Sequence, residues 1–289
     1  MKTVKKLVIV GGGTAGWITA SWFARRWRSL EVVVIDKSDP ERVGVGEATL
    51  LSFPQVMREM GYEPHQWMNE IDATFKAGIL FPGWGKEENN IWHPFGFGIL
   101  GDGENPNIPR VPLYDVWSNY QDQKEIKSIS GLYGSAMQNK IEPDYVRDTY
   151  AYQIDCGKLV KFLQKNTIPY LKEYIQSDVV DIVRDGQADD ITCSGIKHLV
   201  LDDGSKITGD LFIDCTGWKQ MLIGKRNVDC SDRLFINSAL AARVEYKDIS
   251  EQHPYTACPA QEHGWIWKIP TRSRIGTGYC FNKDITDPD

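Results

Sequence analysis

The sequence predicts a mixed α/β (α+β) fold, and three observations carry that prediction. A short apolar run is followed at once by a glycine-rich turn and a helical pattern, and a second apolar run ends in an acid. Later apolar runs are bounded by turn residues at strand-like lengths. With 289 residues, 42% of them apolar and 25% charged, the chain can bury a sizeable core. One domain over 1–289 is expected, with a smaller added layer.

Leu7 to Val10 has the composition of a buried strand, and Trp17, Ala20, Phe23, Ala24 and Trp27 mark a helix. Between them stand Gly11, Gly12, Gly13, Thr14, Ala15 and Gly16. Gly11 permits the tight turn, Gly13 lets the backbone approach a pyrophosphate, and Gly16 lets the helix pack closely, with the helix N-terminus facing the negative charge. The strand Val32 to Ile35 ends at Asp36, twenty residues beyond Gly16, the distance of a carboxylate that binds a ribose hydroxyl. This is a dinucleotide turn, and by itself it does not separate FAD from NAD.

Further along, Pro64 to Ile71 reads as helical, Ala77 to Phe81 as extended, and Asn89 to Pro112 as a loop region on the substrate side, rich in Gly, Pro and Asn. Asp155 is placed to cap a helix through Leu159, Val160, Phe162, Leu163, Ile168 and Leu171. Strands are expected at Val179 to Val183, Ile196 to Leu201 and Lys206 to Thr208, with Asp202, Asp203 and Gly204 turning between the last two. Asp210 to Gly217 is an apolar strand broken by Thr216 and Gly217. In Gly264 to Pro270, which reads GWIWKIP, Trp265 and Trp267 share one face of a strand that a proline closes.

Charge and cysteines exclude several classes. The net charge is -6, the pI is near 5.5, and Lys and Arg nowhere cluster densely enough to track a phosphate backbone, so no nucleic-acid partner is expected. Six cysteines show no CxxC pair and no metal-ligand spacing. No apolar signal segment precedes Lys5, and no apolar stretch is long enough to span a membrane. A cytoplasmic, reduced enzyme without a metal is the expectation.

Lys76 is the only charged group in the run Ala73 to Phe81, where an exposed strand-edge lysine is the ordinary explanation. His93 lies in His93, Pro94, Phe95, Gly96, and a lone histidine in a proline turn is ordinarily structural.

Taken together, the GWIWKIP run, the Gly11 to Gly16 turn and the loop Gly44 to Thr49, which reads GVGEAT, resemble the flavin-dependent halogenases of the tryptophan-halogenase family. In that family a WxWxIP run separates halogenases from flavin monooxygenases of the same fold. The resemblance implies a Rossmann-like, FAD-binding, three-layer fold of the flavin monooxygenase type, with an added substrate-binding layer inserted at roughly 60–150. It assigns FAD to Gly11, Gly13, Thr14, Ala15, Gly16, Asp36, Gly46, Glu47, Ala48 and Val179. Lys76 falls in register with the catalytic lysine, and His93 and Phe95 with two rings that sandwich the substrate. Trp265, Trp267 and Pro270 belong to the motif that helps to wall a tunnel.

The activity so implied uses FAD reduced by a separate flavin reductase, oxygen and halide to make hypohalous acid, which Lys76 presents to an indole or other electron-rich aromatic. Arg274 to Tyr279 resembles the RxGxGY strand that follows the motif. The family's second flavin-phosphate motif, halide-binding turn and catalytic glutamate are expected beyond Asp289, since Glu47, Glu59, Glu63 and Glu70 are out of register with that glutamate. The chain therefore reads as truncated. A flavin monooxygenase that hydroxylates an aromatic, and a non-catalytic flavin-binding relative, are the alternatives.

Overall fold

The computed structural model describes residues 3–36, 45–85, 90–95, 99–100, 111–112, 150–185, 195–224 and 227–286. The chain divides into two compact units, each assembled from three separate segments: Met1–Gly44, Val56–Ile71 and Cys156–Cys230 in the first, Val45–Gln55, Asp72–Asp155 and Ser231–Asp289 in the second.

The first unit is built on β1 (Lys6–Val10), α1 (Thr14–Arg26) and β2 (Glu31–Asp36). These two strands lie at the centre of a parallel sheet, with Glu173–Gln176 beside β2 and Leu211–Asp214 beside β1. Both faces of the central strands are buried, which is why they read as unbroken apolar runs. Val8, Val10, Val33 and Ile35 pack with Leu199, Leu201 and Leu222 under an antiparallel sheet of Val179–Arg184, Ile196–Leu201 and Lys206–Ile207. By strand alternation Leu7, Ile9, Val32 and Val34, all fully buried, present the opposite face, where α1 packs on β1 and β2 and against the helix Cys156–Thr167. Three layers result, as the family resemblance implies.

Boundaries shift for local reasons. The helix expected to run to Leu171 stops at Thr167 and tightens into a 3-10 turn, Ile168–Tyr170, because Pro169 supplies no backbone N–H. Gly204 adopts φ 83 in the expected hairpin, and its N–H donates to the carbonyl of Leu201. A helix at Ser52–Glu59 was not foreseen. Pro54 reads as a breaker, yet it stands in the first turn, where a missing N–H costs nothing.

In the second unit one sheet runs in the order Ser238–Val244, Ile275–Phe281, Gly264–Pro270, Thr256–Ala257, Gly78–Phe81, Ile91–Pro94, with Ala260–Gln261 also paired to Gly264–Pro270. A smaller sheet places Ala151–Ile154 between Glu47–Ala48 and Thr74–Lys76. The reading of 89–112 as loop is corrected here. Ile91–Pro94 is a strand antiparallel to Gly78–Phe81, and Ile99–Leu100 pairs with Val111–Pro112. Ladder pairing organises these residues without an apolar period, and Pro94 is tolerated at the end of a strand with no further neighbour among the described residues. The remainder of that stretch, Gly44 of the GVGEAT loop, and most of the inserted layer lie outside the described residues.

Trp267 sits opposite Gly278 on the neighbouring strand, and its indole occupies the space above that glycine. A Cβ on Gly278 would fall 2.1 Å from the ring and 2.3 Å from the backbone oxygen of Leu240. Gly278→Ala should therefore cost about 3 kcal/mol, as overpacking against backbone does. Gly204→Ala, in open space at φ 83, should cost only about 1 kcal/mol of left-handed strain. Urea unfolding of the two variants checks the contrast; equal losses would remove the indole as the reason for a glycine at 278.

Candidate functional site

In the first unit the glycine turn has the geometry of an anion cradle. Gly11 takes φ 107, and a Cβ there would lie 2.2 Å from the oxygen of Cys215, so two backbone segments touch where β1 ends. Gly16 packs on the turn itself: its Cβ would be 1.8 Å from the oxygen of Gly11. Gly13 differs, with nothing within 4 Å of a Cβ. It is the N-cap of α1, with no side-chain capping bond and no acid in the first turn. Thr14 is half-buried and Ala15 exposed. An uncapped helix N-terminus opening on free space suits a pyrophosphate, so these residues fit a dinucleotide.

Asp36 is buried, and its Oδ1 accepts the N–H of Gly12 at 2.9 Å. The acid thus braces the turn that the sequence reading has it serve through a ribose. Val179 pairs with Leu201 and its side chain packs into the core cluster, which leaves only its backbone for a ligand. Asp214, which closes the strand Leu211–Asp214, accepts from the hydroxyl and N–H of Thr216 and the N–H groups of Leu222 and Ile223. Burial raises its pKa, and those donors more than offset it, so the carboxyl titrates below its ordinary value.

In the second unit Lys76 is only 3% exposed, against the surface position expected from composition. Its strand Thr74–Lys76 pairs with Ala151–Ile154, which sets Lys76 opposite Ala151. Nζ donates to the carbonyl of Thr49 at 3.3 Å and stands 4.8 Å from the centre of the Phe95 ring. Burial brings its pKa down to about 8, an effect that nearby Cys258 opposes. The Cys258 thiol is itself pushed up by burial. A backbone oxygen and an aromatic face stabilise the cation, but less than water would.

Of the two predicted ring residues, Phe95 is buried against Lys76 while His93 is exposed. Their rings lie 6.2 Å apart at 87°, edge to face, the arrangement favoured by ring quadrupoles. Two parallel faces around a gap, the sandwich expected from sequence, are not formed by this pair as placed. Trp265 and Trp267 do share a face, with ring centroids 6.2 Å apart. The indole N–H of Trp267 is buried without a hydrogen-bond partner among the described residues.

Sequence reasoning passed over three residues that hold these parts. Gln153 is fully buried; its Nε2 lies 3.2–3.3 Å from Thr74 Oγ1 and the carbonyls of Phe75, His253 and Pro270, and its Oε1 accepts from Thr256. Asp72, buried at φ 61, accepts from the hydroxyls of Thr271 and Ser273. Thr49 holds Lys76. A polar Gln inside the otherwise apolar Ala151–Ile154 was the available signal. Gly46, at φ 83, meets Gly276 so closely that a Cβ on Gly276 would lie 1.9 Å from the oxygen of Val45. Glu47 and Ala48 form the short strand that follows. Beside this contact Arg274 pairs with Asp155 at 2.8 Å.

The uncapped turn in a three-layer unit defines a Rossmann-like fold whose helix N-terminus suits a dinucleotide. Its likeness to known proteins is specific: the tryptophan halogenase family model matches residues 6–289, and the chain belongs to that family. It is 32% identical to the tryptophan 6-halogenase SttH of Streptomyces toxytricini over 98% of this chain and 58% of that protein. With the tryptophan 7-halogenase RebH of Lentzea aerocolonigenes it shares 28% identity over 99% of this chain and 57% of the other. Among solved structures, a flavin-dependent halogenase from Xanthomonas campestris superposes with a TM-score of 0.85 at 30% identity, covering 100% of this chain and 58% of that one. The chain thus spans somewhat under three fifths of the length of these relatives.

Among the described residues, Cys215, Cys230, Cys258 and Cys280 carry thiols that no disulfide joins. Among the described residues no group of three His, Cys, Asp or Glu side chains could hold a metal ion, and no helix is long and apolar enough to cross a membrane.

The buried cation makes a stability prediction that needs no activity. A pKa lowered from 10.5 to about 8 corresponds to about 3 kcal/mol against the charged form. Since the unfolded chain holds its proton to higher pH, fold stability should rise between about pH 8 and 10.5 and carry the full penalty below pH 8. Lys76→Met should therefore raise stability by about 2 kcal/mol at pH 7, with the gain shrinking as pH approaches 10. Thermal melts across pH test this; a destabilised Lys76→Met at pH 7 would contradict it.

Proposed function

We propose that the protein is a FAD-dependent halogenase that places halogen on an indole or another electron-rich aromatic through Lys76. The observation that carries the reading is the burial of Lys76 against Phe95, with an amine that titrates near neutrality. Family membership supports it, and both SttH and RebH are named as tryptophan halogenases.

In this reading the open N-terminus of α1, with Gly13, Thr14, Ala15 and the turn braced by Asp36, receives the pyrophosphate, and Gly46, Glu47 and Ala48 lie on the flavin side. Reduced FAD, renewed by a separate flavin reductase, supplies the electrons with which oxygen and halide yield hypohalous acid. The residues of the second unit then act on that oxidant. Trp265 and Trp267 shield it from water and keep the organic substrate away. Lys76 in its neutral form attacks the halogen as the halogen–oxygen bond breaks, hydroxide leaving as water with a proton of the amine; the halogen then passes to a ring carbon, which loses its proton as the amine regains one. Phe95 fixes the amine from below, and exposed His93 stands where a substrate ring arrives. We further propose that the two units serve one catalytic domain.

FAD binding is tested at the glycine whose Cβ meets nothing. Gly13→Ala should leave the fold intact while FAD affinity drops about tenfold or more, as expected when backbone approach to a phosphate is blocked. Flavin fluorescence titration with a parallel melt decides; unchanged affinity would move the cofactor elsewhere.

Transfer is tested by product yield per oxygen consumed. With reduced FAD, oxygen and bromide, a full-length version should brominate indole, and Lys76→Ala in that protein should lose halogenated product while oxygen consumption continues. The wild-type yield should rise with pH through about 8, as the amine becomes neutral. A yield that falls through that range would assign transfer to the ammonium as a hydrogen-bond donor. Hydroxylated product at a rate indifferent to halide would overturn the halogenase reading.

A further inference from the structure

The short strand Glu47–Ala48 pairs antiparallel with Ala151–Ile154, Glu47 opposite Ile154 and Ala48 opposite Gln153. Continued by one residue, the ladder would make Thr49 and Tyr152 a hydrogen-bonded pair, each exchanging N–H and carbonyl. Half of that exchange is present: the N–H of Thr49 donates to the oxygen of Tyr152 at 2.8 Å. The other half is replaced. Tyr152 N–H donates at 2.9 Å to the side-chain Oγ1 of Thr49 instead of to its backbone oxygen. The strand ends at Ala48, and the carbonyl of Thr49, outside the ladder, accepts Lys76 Nζ.

We infer that Thr49 is a positioning residue for Lys76: its hydroxyl takes the place of its own carbonyl in the sheet, so that the carbonyl can hold the lysine amine. Without the hydroxyl, the N–H of Tyr152 loses the acceptor it now uses, and the ladder would close on the adjacent carbonyl of Thr49 and draw it away from Nζ. No other side chain in the Glu47–Thr49 segment offers a hydroxyl. Facing Lys76 from the remaining elements are the ring of Phe95 and the thiol of Cys258, and neither replaces a backbone acceptor. The inference rests on Lys76 as the transfer residue for its catalytic meaning, while the geometry can be read without any turnover.

Thr49→Val removes the hydroxyl at constant shape, and Thr49→Ser restores it. The titration midpoint of Lys76, measured by competitive acetylation against pH with mass spectrometry of the peptide, is the primary reading. It should fall by about half a unit or more in Thr49→Val, because the charged form loses its acceptor, and stay at the wild-type value in Thr49→Ser. Yield of halogenated product per oxygen should drop about fivefold in Thr49→Val from misplacement and recover in Thr49→Ser. Should Thr49→Val fold poorly, amide exchange at Tyr152 in the wild type and Thr49→Ser must show equal protection. An unmoved midpoint in folded Thr49→Val, or an equal shift in Thr49→Ser, would overturn the inference. Continued halogenation by Lys76→Ala would instead overturn the role of the lysine, leaving the midpoint test of Thr49 intact.

Discussion

The second unit is organised around the burial of one ammonium group. Lys76 is almost wholly withdrawn from water, and among the described residues a backbone oxygen and an aromatic face stand in for its hydration shell. Such a cation is tolerable only if the groups that face it stay fixed, so the backbone around it must be tied from several sides. Gln153 does this with one side chain. Two amide hydrogens shared among four acceptors join the Lys76 strand at Thr74 and Phe75, the end of the tryptophan strand at Pro270, and the segment before Tyr255 at His253. Thr74 also donates directly to the oxygen of Pro270. The lysine and the end of the WIWKIP strand therefore share a common fastening.

The turn after that strand has its own clamp. Asp72 accepts a left-handed backbone, a cost of roughly 1–3 kcal/mol for a residue with a Cβ, while its carboxylate takes the hydroxyls of Thr271 and Ser273 and its carbonyl the N–H of Arg272. Arg274, the next residue, reaches Asp155 at the end of the strand that carries Gln153. Strand ends that enclose a desolvated charge are thus closed by polar side chains rather than by further apolar packing, which orients the backbone more sharply.

What the sequence made legible was local. The dinucleotide turn could be read because its demands are met by spacing within one short run: Gly16 must pack against Gly11, and Gly13 is left open. The hairpin at Gly204 follows from turn chemistry, and the buried strands from composition. The burial of Lys76 could not be read this way, since it depends on pairing with Ala151, seventy-five positions distant, and a lone lysine carries no mark of its partner. Greater separations hide Gln153 and Asp72, whose partners Phe75 and Ser273 lie 78 and 201 positions away. His93 and Phe95 were identified as neighbours, but the planes of their rings follow from which one the lysine claims. Family resemblance, not periodicity, singled out Lys76, and the structure supplies a physical reason for that residue to be unusual.

A fold shaped only by stability would hold an apolar side chain at position 76. Its strand partners, the ring of Phe95 and the neighbouring Cys258 form surroundings into which a thioether or a hydrocarbon would settle without desolvation cost. Instead the site carries an amine whose charged form is disfavoured by about 3 kcal/mol, a large share of a typical domain's total stability. Mitigation is built in but incomplete: the freed carbonyl of Thr49 lowers the penalty without restoring an ordinary lysine. That intermediate setting populates both protonation states around pH 8, well below the range of an exposed lysine. In the function proposed above, such a balance lets one amine survive folding and still present a lone pair to an electrophile.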